Sequence, residues 1–192
     1  MFIQISTDYV FDGKNGGYLP ADTPKPINAY GESKVIGERI VQDCSSSWVI
    51  IRGGGLFSMT TPNNFYSWVV SSLKRNEKIN VVNDQLSNPV STFDLARYII
   101  DIQNDKSMRN KIYHIGSDAQ ISKYDFAMKI ARASGLDSHF INPISTVELQ
   151  KMNSNYIAKR PKNSSLDFSG EGDRECDLNR SIEFLKNSPA RY

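Results

Sequence analysis

The chain has 192 residues, 39% of them hydrophobic and 23% charged, as in ordinary globular proteins of one or two small domains. A net charge of +2 with scattered basic residues gives no nucleic-acid footprint, and no apolar run approaches the ~20 residues that span a bilayer. Cys44 and Cys176 lie far apart and the only histidines are His114 and His139, so neither a disulfide framework nor a metal site is expected and a reduced, cytoplasmic setting is the default.

The first stretch, Phe2 to Ile5, reads as a short buried strand that ends in the hydroxyls Ser6 and Thr7. No basic segment and long apolar core precede it, so it does not read as a signal peptide. Asp12-Gly13 through Pro26 is a loop punctuated by Gly16-Gly17 and prolines. From Asn28 to about Asp43 the pattern is helical, with Val35, Ile36, Ile40 and Val41 expected on the packing side. Trp48 to Arg52 is a second buried strand of β-branched and aromatic residues, and Gly53-Gly54-Gly55 follows it. That glycine run has neither the spacing of a dinucleotide fingerprint nor the Lys-Ser/Thr of a P-loop, and it reads as a permissive bend.

Pro62-Asn63-Asn64 marks a helix start, with Phe65, Trp68, Val69 and Leu73 forming a core stripe. Ile79 to Val82 is a strand, and Asp84 to Pro89 is a turn. Thr92 is expected to cap a helix reaching about Gln103, with Leu95, Ile99 and Ile102 inward. Lys111 to Gly116 is the next strand, in which His114 reads as a packed residue rather than a catalytic base. Ser122 and Asp125 have the spacing of a capping box before a helix that runs to Gly135. Beyond Asp167 the chain is polar, with one weak helix near Leu178 to Leu185.

Tyr30 and Lys34 are the pair with chemical promise. Four residues apart, they share one helix face. A free tyrosine titrates at about 10, and a nearby cation favours its charged form. Such a tyrosine can protonate an oxygen that gains negative charge as hydride reaches its carbon. The hydroxyl of Thr7 or Ser6, at a strand's C-terminal end, can polarise the same carbonyl.

The string Ser6-Thr7-Asp8-Tyr9-Val10-Phe11-Asp12-Gly13, with Pro26-x-Asn28-x-Tyr30-Gly31-x-Ser33-Lys34 and Gly37-Glu38, resembles the extended short-chain dehydrogenase/reductases. Within them it is most similar to the RmlD-like dTDP-4-dehydrorhamnose reductase family. Asp84-Gln85-x-x-x-Pro89, Tyr113-His114-x-x-Gly and Arg160-Pro161-x-Asn163-Ser164-x-Leu166 extend the resemblance to about Asp167. It implies Thr7, Tyr30 and Lys34 as the catalytic set. It also implies cofactor contacts from Tyr30, Lys34 and Ser6, and substrate contacts from Tyr9, Gly55, Asn64 and Arg160. The implied reaction is reduction of a 4-keto nucleotide-sugar by NADPH or NADH. Lys74, Arg75 or Arg160 are the candidate cations for the substrate's phosphates. Two positions depart from the family: Gly55 stands where a tryptophan is usual, and Pro20 where an acidic residue is common.

The expected fold class is α/β: the C-terminal part of a Rossmann-type doubly wound sheet plus a small α+β substrate-binding region. The N-terminal half that carries the glycine fingerprint is not in this sequence. The expected division is a catalytic part at 1–57, a mixed substrate-binding region at 58–167 and a polar tail at 168–192. A sheet edge open at Phe2 to Ile5 carries no Lys or Pro to protect it, so a homo-oligomer is expected. The resemblance also extends to the regulatory β subunit of methionine adenosyltransferase, which leaves a non-catalytic binding subunit as the alternative.

Overall fold

A computed structural model describes residues 1–58, 61–152 and 158–187. Its main sheet is built from β1 (Phe2–Thr7), β2 (Trp48–Phe57), β6 (Lys111–Ser117) and β9 (Arg174–Cys176), in the order β1-β2-β6-β9, all parallel. The short β5 (Pro89–Ser91) also pairs in parallel with the far end of β2. Val49, Ile50 and Ile51 are fully buried, because layers cover both faces of a parallel strand in this position. Beside β2, β1 is an edge: among the described residues it has no second partner strand, and Phe2 is half exposed.

Helix α1 (Ala29–Cys44) crosses between β1 and β2. The side chain of Asn28 caps it by accepting from the Gly31 amide at 2.8 Å. Its buried face is Gly31, Val35, Glu38 and Val41, whereas the expected packing residues Ile36 and Ile40 are each 56% exposed. The reason lies in β2. Arg52 is fully buried in the middle of the sheet and needs a carboxylate, and Glu38 supplies one with bonds at 3.0 and 2.7 Å. That pair turns the helix so that an ionic residue faces inward. Two isoleucines face outward as a result.

Helix α2 (Phe65–Lys74) starts at a capping box of Asn64 and Ser67. Helix α3 (Thr92–Asn104) is capped by Ser91, one residue before the expected Thr92. It packs Leu95, Tyr98 and Ile102 on β2 and β6. Helix α4 (Lys123–Ser134) starts at Ser122, whose hydroxyl accepts from the Asp125 amide at 3.0 Å, and ends on left-handed Gly135. Between them, β3 (Ile79–Val82) pairs in parallel with β8 (Ile141–Ile144), and β4 (Leu86–Ser87) pairs antiparallel with β7 (Ile121–Ser122). Helix α5 (Thr146–Met152) follows β8.

The C-terminal stretch is not a polar tail. Strand β9 extends the main sheet, and α6 (Leu178–Asn187) buries Leu178, Ile182 and Leu185 in the same core cluster as α2 and α4. Its apolar residues recur at helical spacing within a polar composition, a pattern that composition alone conceals.

The buried pair sets a stability prediction. Removing one partner leaves an uncompensated charge inside the sheet, which costs about 3–5 kcal/mol. Glu38→Ala is therefore expected to lower the urea-unfolding free energy by that amount. Glu77→Ala, which breaks the fully solvated Arg75–Glu77 pair, is expected to leave the midpoint nearly unmoved. Equal losses from the two variants would contradict the assignment.

Candidate active site

The apolar run of β1 ends at Thr7, and a short 3-10 turn over Asp8–Val10 follows. The Thr7 side chain starts that turn by accepting from the Tyr9 amide at 3.2 Å. Helix α1 then passes so close that a Cβ on Gly31 would lie 2.2 Å from the Tyr9 carbonyl oxygen. Only glycine allows that approach. It brings Tyr30, the residue before it, over the end of β1, where its ring meets Tyr9 edge-on at 6.1 Å.

A cavity of about 530 Å³ opens at this end of the sheet, a size that suits a small-molecule ligand. One wall is Thr7, Asp8, Tyr9 and Tyr30; another is Gly53, Gly55 and Leu56 at the end of β2. The start of α4, with Lys123 and Phe126, and the segment Lys159 to Pro161 with Ser164 close it on the far side. This position, outside the carboxyl ends of parallel strands, is where open α/β sheets bind ligands.

Most of the sequence-predicted residues meet here. Thr7, Tyr30, Tyr9, Gly55 and Arg160 line the one cavity. Arg160 also donates from Nη1 to the Tyr9 hydroxyl at 3.3 Å. Lys34 stands behind the wall, its ammonium donating to the Ile5 carbonyl at 2.8 Å and so tying α1 to β1. Ser6 contributes to the lining, but its hydroxyl proton is donated to Glu38, so that oxygen has only lone pairs left to offer. Gly55 has φ +27° where the pairing of β2 with β5 slips, so the glycine run is a bend inside a strand.

Three expectations are corrected by position. Asn64 caps α2 through its Oδ1 and bonds the Ser58 and Thr61 carbonyls through its Nδ2, which leaves its amide occupied away from the cavity lining. Arg75 forks onto Glu77 at 2.7 and 2.8 Å, and Lys74 lies beside it at the far end of α2, so neither lines the cavity. Both had been inferred from residue type without a neighbour.

Sequence reasoning passed over two charged residues. Asp8 is 2% exposed, and burial pushes its carboxyl up to about 6 against bonds from Ser164 and Thr7 and the charge of Lys123. Burial first, then the charge of Arg160, lower the Lys123 ammonium to about 8 against the opposing charge of Asp8. A signal for Lys123 was present. It is the first residue of a helix, where the macrodipole disfavours a cation.

Residues 1–173 match the RmlD substrate binding domain family. A dTDP-4-dehydrorhamnose reductase of Aggregatibacter actinomycetemcomitans is 33% identical over 177 residues, 87% of this chain and 58% of that protein. The methionine adenosyltransferase 2 subunit beta of Rattus norvegicus is 31% identical over 173 residues, 87% of this chain and 50% of that protein. Among solved structures, the dTDP-4-dehydrorhamnose reductase of Bacillus anthracis str. Ames in complex with NADP is similar with a TM-score of 0.85. That likeness is at 30% identity and covers 95% of this chain and 64% of the other. The chain thus spans little more than half the length of the curated relatives it matches.

His114 lies outside this cavity. It is fully buried on β6, with Nδ1 against the Asp167 carbonyl at 3.2 Å and its ring edge-on to Phe11. A carbonyl only accepts, so Nδ1 carries a proton. Burial and the neighbouring Arg52 charge lower it from 6.5 to about 4. Unfolded chains therefore take up this proton first as pH falls. The stability it contributes is complete above about 6.5 and is lost towards about 4, by roughly 3 kcal/mol. Asp8 and Asp173, both raised to about 6, act in the opposite direction over part of that range. Unfolding of the protein and of His114→Asn at about pH 7 and pH 4 separates these effects. The native protein is expected to lose stability relative to the variant on acidification, and parallel curves would contradict a buried neutral ring.

Proposed function

The chain belongs to the RmlD substrate binding domain family, and from that premise we propose that it is the catalytic and substrate-binding part of a short-chain reductase acting on a 4-keto nucleotide-sugar. The substrate favoured is dTDP-4-dehydrorhamnose, the substrate that names the reductase relatives. The observation that carries the reading is the convergence of Thr7 and Tyr30 on one cavity from separate elements, with Lys34 on the next turn of the helix. Residues 1–57 supply this catalytic wall in the proposal, and 58–167 the substrate walls.

The division of labour follows from the chemistry of the groups. Tyr30 stands at the cavity with its phenol able to give a proton to the carbonyl oxygen as that oxygen gains charge. The Thr7 hydroxyl donates a hydrogen bond to the same oxygen and stabilises the developing alkoxide. Lys34 has three protons to donate, and the Ile5 carbonyl takes one. Its charge stands one turn from Tyr30 on the same helix face. Arg160 and Lys123 supply positive charge on the opposite wall for an anionic ligand.

The residues present fit the nicotinamide–ribose end of NADPH or NADH. Tyr30 is 53% exposed at the cavity mouth, and Lys34 follows on the same helix face. Bound there, the reduced nicotinamide would supply the hydride. Gly53, Gly54 and Gly55 all lie within β2, so this run is not the glycine turn between a strand and a helix that holds a pyrophosphate. A non-catalytic binding subunit is the second reading, supported by the likeness to the rat β subunit.

In the polypeptide that carries this chain, Tyr30→Phe is expected to lower kcat by roughly 10²–10⁴ with little change in KM, the size of a lost general acid. Stopped-flow oxidation of NADPH with dTDP-4-dehydrorhamnose measures it. A Phe variant with full kcat would remove Tyr30 from the chemistry, and a native protein with no turnover would favour the binding-subunit reading.

A further inference from the structure

The Thr7 hydroxyl has one proton, and the fold already assigns it. Thr7 Oγ1 donates to Asp8 Oδ1 at 3.0 Å while accepting from the Tyr9 amide at 3.2 Å. The other carboxyl oxygen, Asp8 Oδ2, accepts from the Ser164 hydroxyl at 2.5 Å. With its proton held by Asp8, Thr7 offers only lone pairs to an oxygen in the cavity, and two oxygens facing each other through lone pairs repel. Turning the Thr7 proton toward the cavity would leave Thr7 Oγ1 facing a buried carboxylate with the same repulsion. A bare carboxylate at that spacing holds the hydroxyl in the wrong direction for polarising a carbonyl.

We propose that Asp8 is a positioning residue whose protonation sets the direction of the Thr7 hydroxyl: as a carboxylate it retains the Thr7 proton, and as a neutral acid it donates to Thr7 Oγ1 and releases that proton to a ligand carbonyl oxygen. The inference rests on the reading of Thr7 and Tyr30 as a carbonyl-reducing pair. The hydrogen-bond count closes in the neutral state. Thr7 Oγ1 then accepts from the Tyr9 amide and the Asp8 acid and donates to the ligand, which fills the capacity of a hydroxyl. Asp8 Oδ2 continues to accept from Ser164. No proton leaves Asp8 during the reaction, and the proton that enters the product comes from Tyr30.

The charges around Asp8 leave both states accessible. From α4, Lys123 favours the carboxylate, but its own ammonium is depressed by burial. Arg160, from the segment beyond α5, bonds the Tyr9 hydroxyl and pushes Lys123 down. From β2, Arg52 is committed to Glu38; from α1, Lys34 bonds the Ile5 carbonyl, and Tyr30 lines the same cavity. Burial opposes these cations, and the Asp8 carboxyl sits at about 6, near enough to neutrality for a ligand to tip it.

Two measurements test the proposal. Carbon-13 NMR follows the Asp8 carboxyl in the ligand-free protein and in Thr7→Val. Losing the hydroxyl that bonds the carboxylate is expected to raise the Asp8 titration by half a unit or more, about a threefold change in proton affinity. An unmoved titration overturns the coupling, whatever the protein catalyses. The second is the pH profile of kcat/KM for reduction of dTDP-4-dehydrorhamnose by NADPH in the polypeptide that carries this chain. The native protein is expected to lose about tenfold per pH unit above the Asp8 titration, and Asp8→Asn to flatten that limb whatever its absolute rate, because an amide stays a donor to Thr7 at every pH. A limb that persists unchanged in Asp8→Asn overturns the proposal. A Thr7→Val shift in a native protein without turnover would support the Asp8–Thr7 coupling and remove the reductase reading instead.

Discussion

Everything at the cavity depends on a carboxylate and a guanidinium buried between a helix and a sheet. Glu38 accepts two bonds from Arg52 and one from Ser6, while Arg52 reaches on to the Pro20 carbonyl and lies over the Phe11 ring at 5.2 Å. Desolvating such a pair is expensive, and its net contribution to stability is small or negative compared with an apolar replacement. What the pair supplies here is direction. Ser6 and Arg52 are neighbours in the β1–β2 register, so Glu38 reads both strands at once and fixes the rotation of α1 about its axis. One turn earlier Lys34 takes the Ile5 carbonyl, and one turn before that stands Tyr30. Three residues at i, i+4 and i+8 form one stripe, with two of them anchoring the helix so that the third faces the cavity.

The same stripe explains what was legible and what was not. The helical pattern from Asn28, the strand of Trp48 to Arg52 and the spacing of Tyr30 and Lys34 are local signals, and the structure follows them. The inner face of α1 is different. Ile36 and Ile40 are more apolar than Glu38, and only the buried Arg52, fourteen residues away on another element, makes the acid the inward residue. Periodicity counts apolar residues and has no way to see a charge that is paired in space. The last helix shows the converse error: Leu178, Ile182 and Leu185 were diluted by polar neighbours, and their stripe was read as weak.

The site was legible to a similar depth. Thr7, Tyr30, Tyr9 and Arg160 reach one cavity, since each belongs to a motif with fixed spacing, and Gly55 reaches it at the end of β2. Asn64 follows from the resemblance and Lys74 and Arg75 from residue type alone, and local partners claim Asn64 and Arg75: a helix cap for one, a neighbouring carboxylate for the other. Asp8 was in plain sight beside Thr7 but was read past, because its significance lies in burial and in the single proton it shares. Lys123 comes from a helix more than a hundred residues further along the chain, and only the folded cavity brings it near Asp8.

The central claim is that Thr7 and Tyr30 act together on one oxygen. A double-mutant cycle of Thr7→Val and Tyr30→Phe, measured on kcat/KM for the keto-sugar, addresses it most directly. Groups that share one developing charge are coupled, so the double variant should lose much less than the product of the two single losses, by about tenfold or more. Losses that simply multiply would mean that the two groups serve different atoms, and would contradict the account.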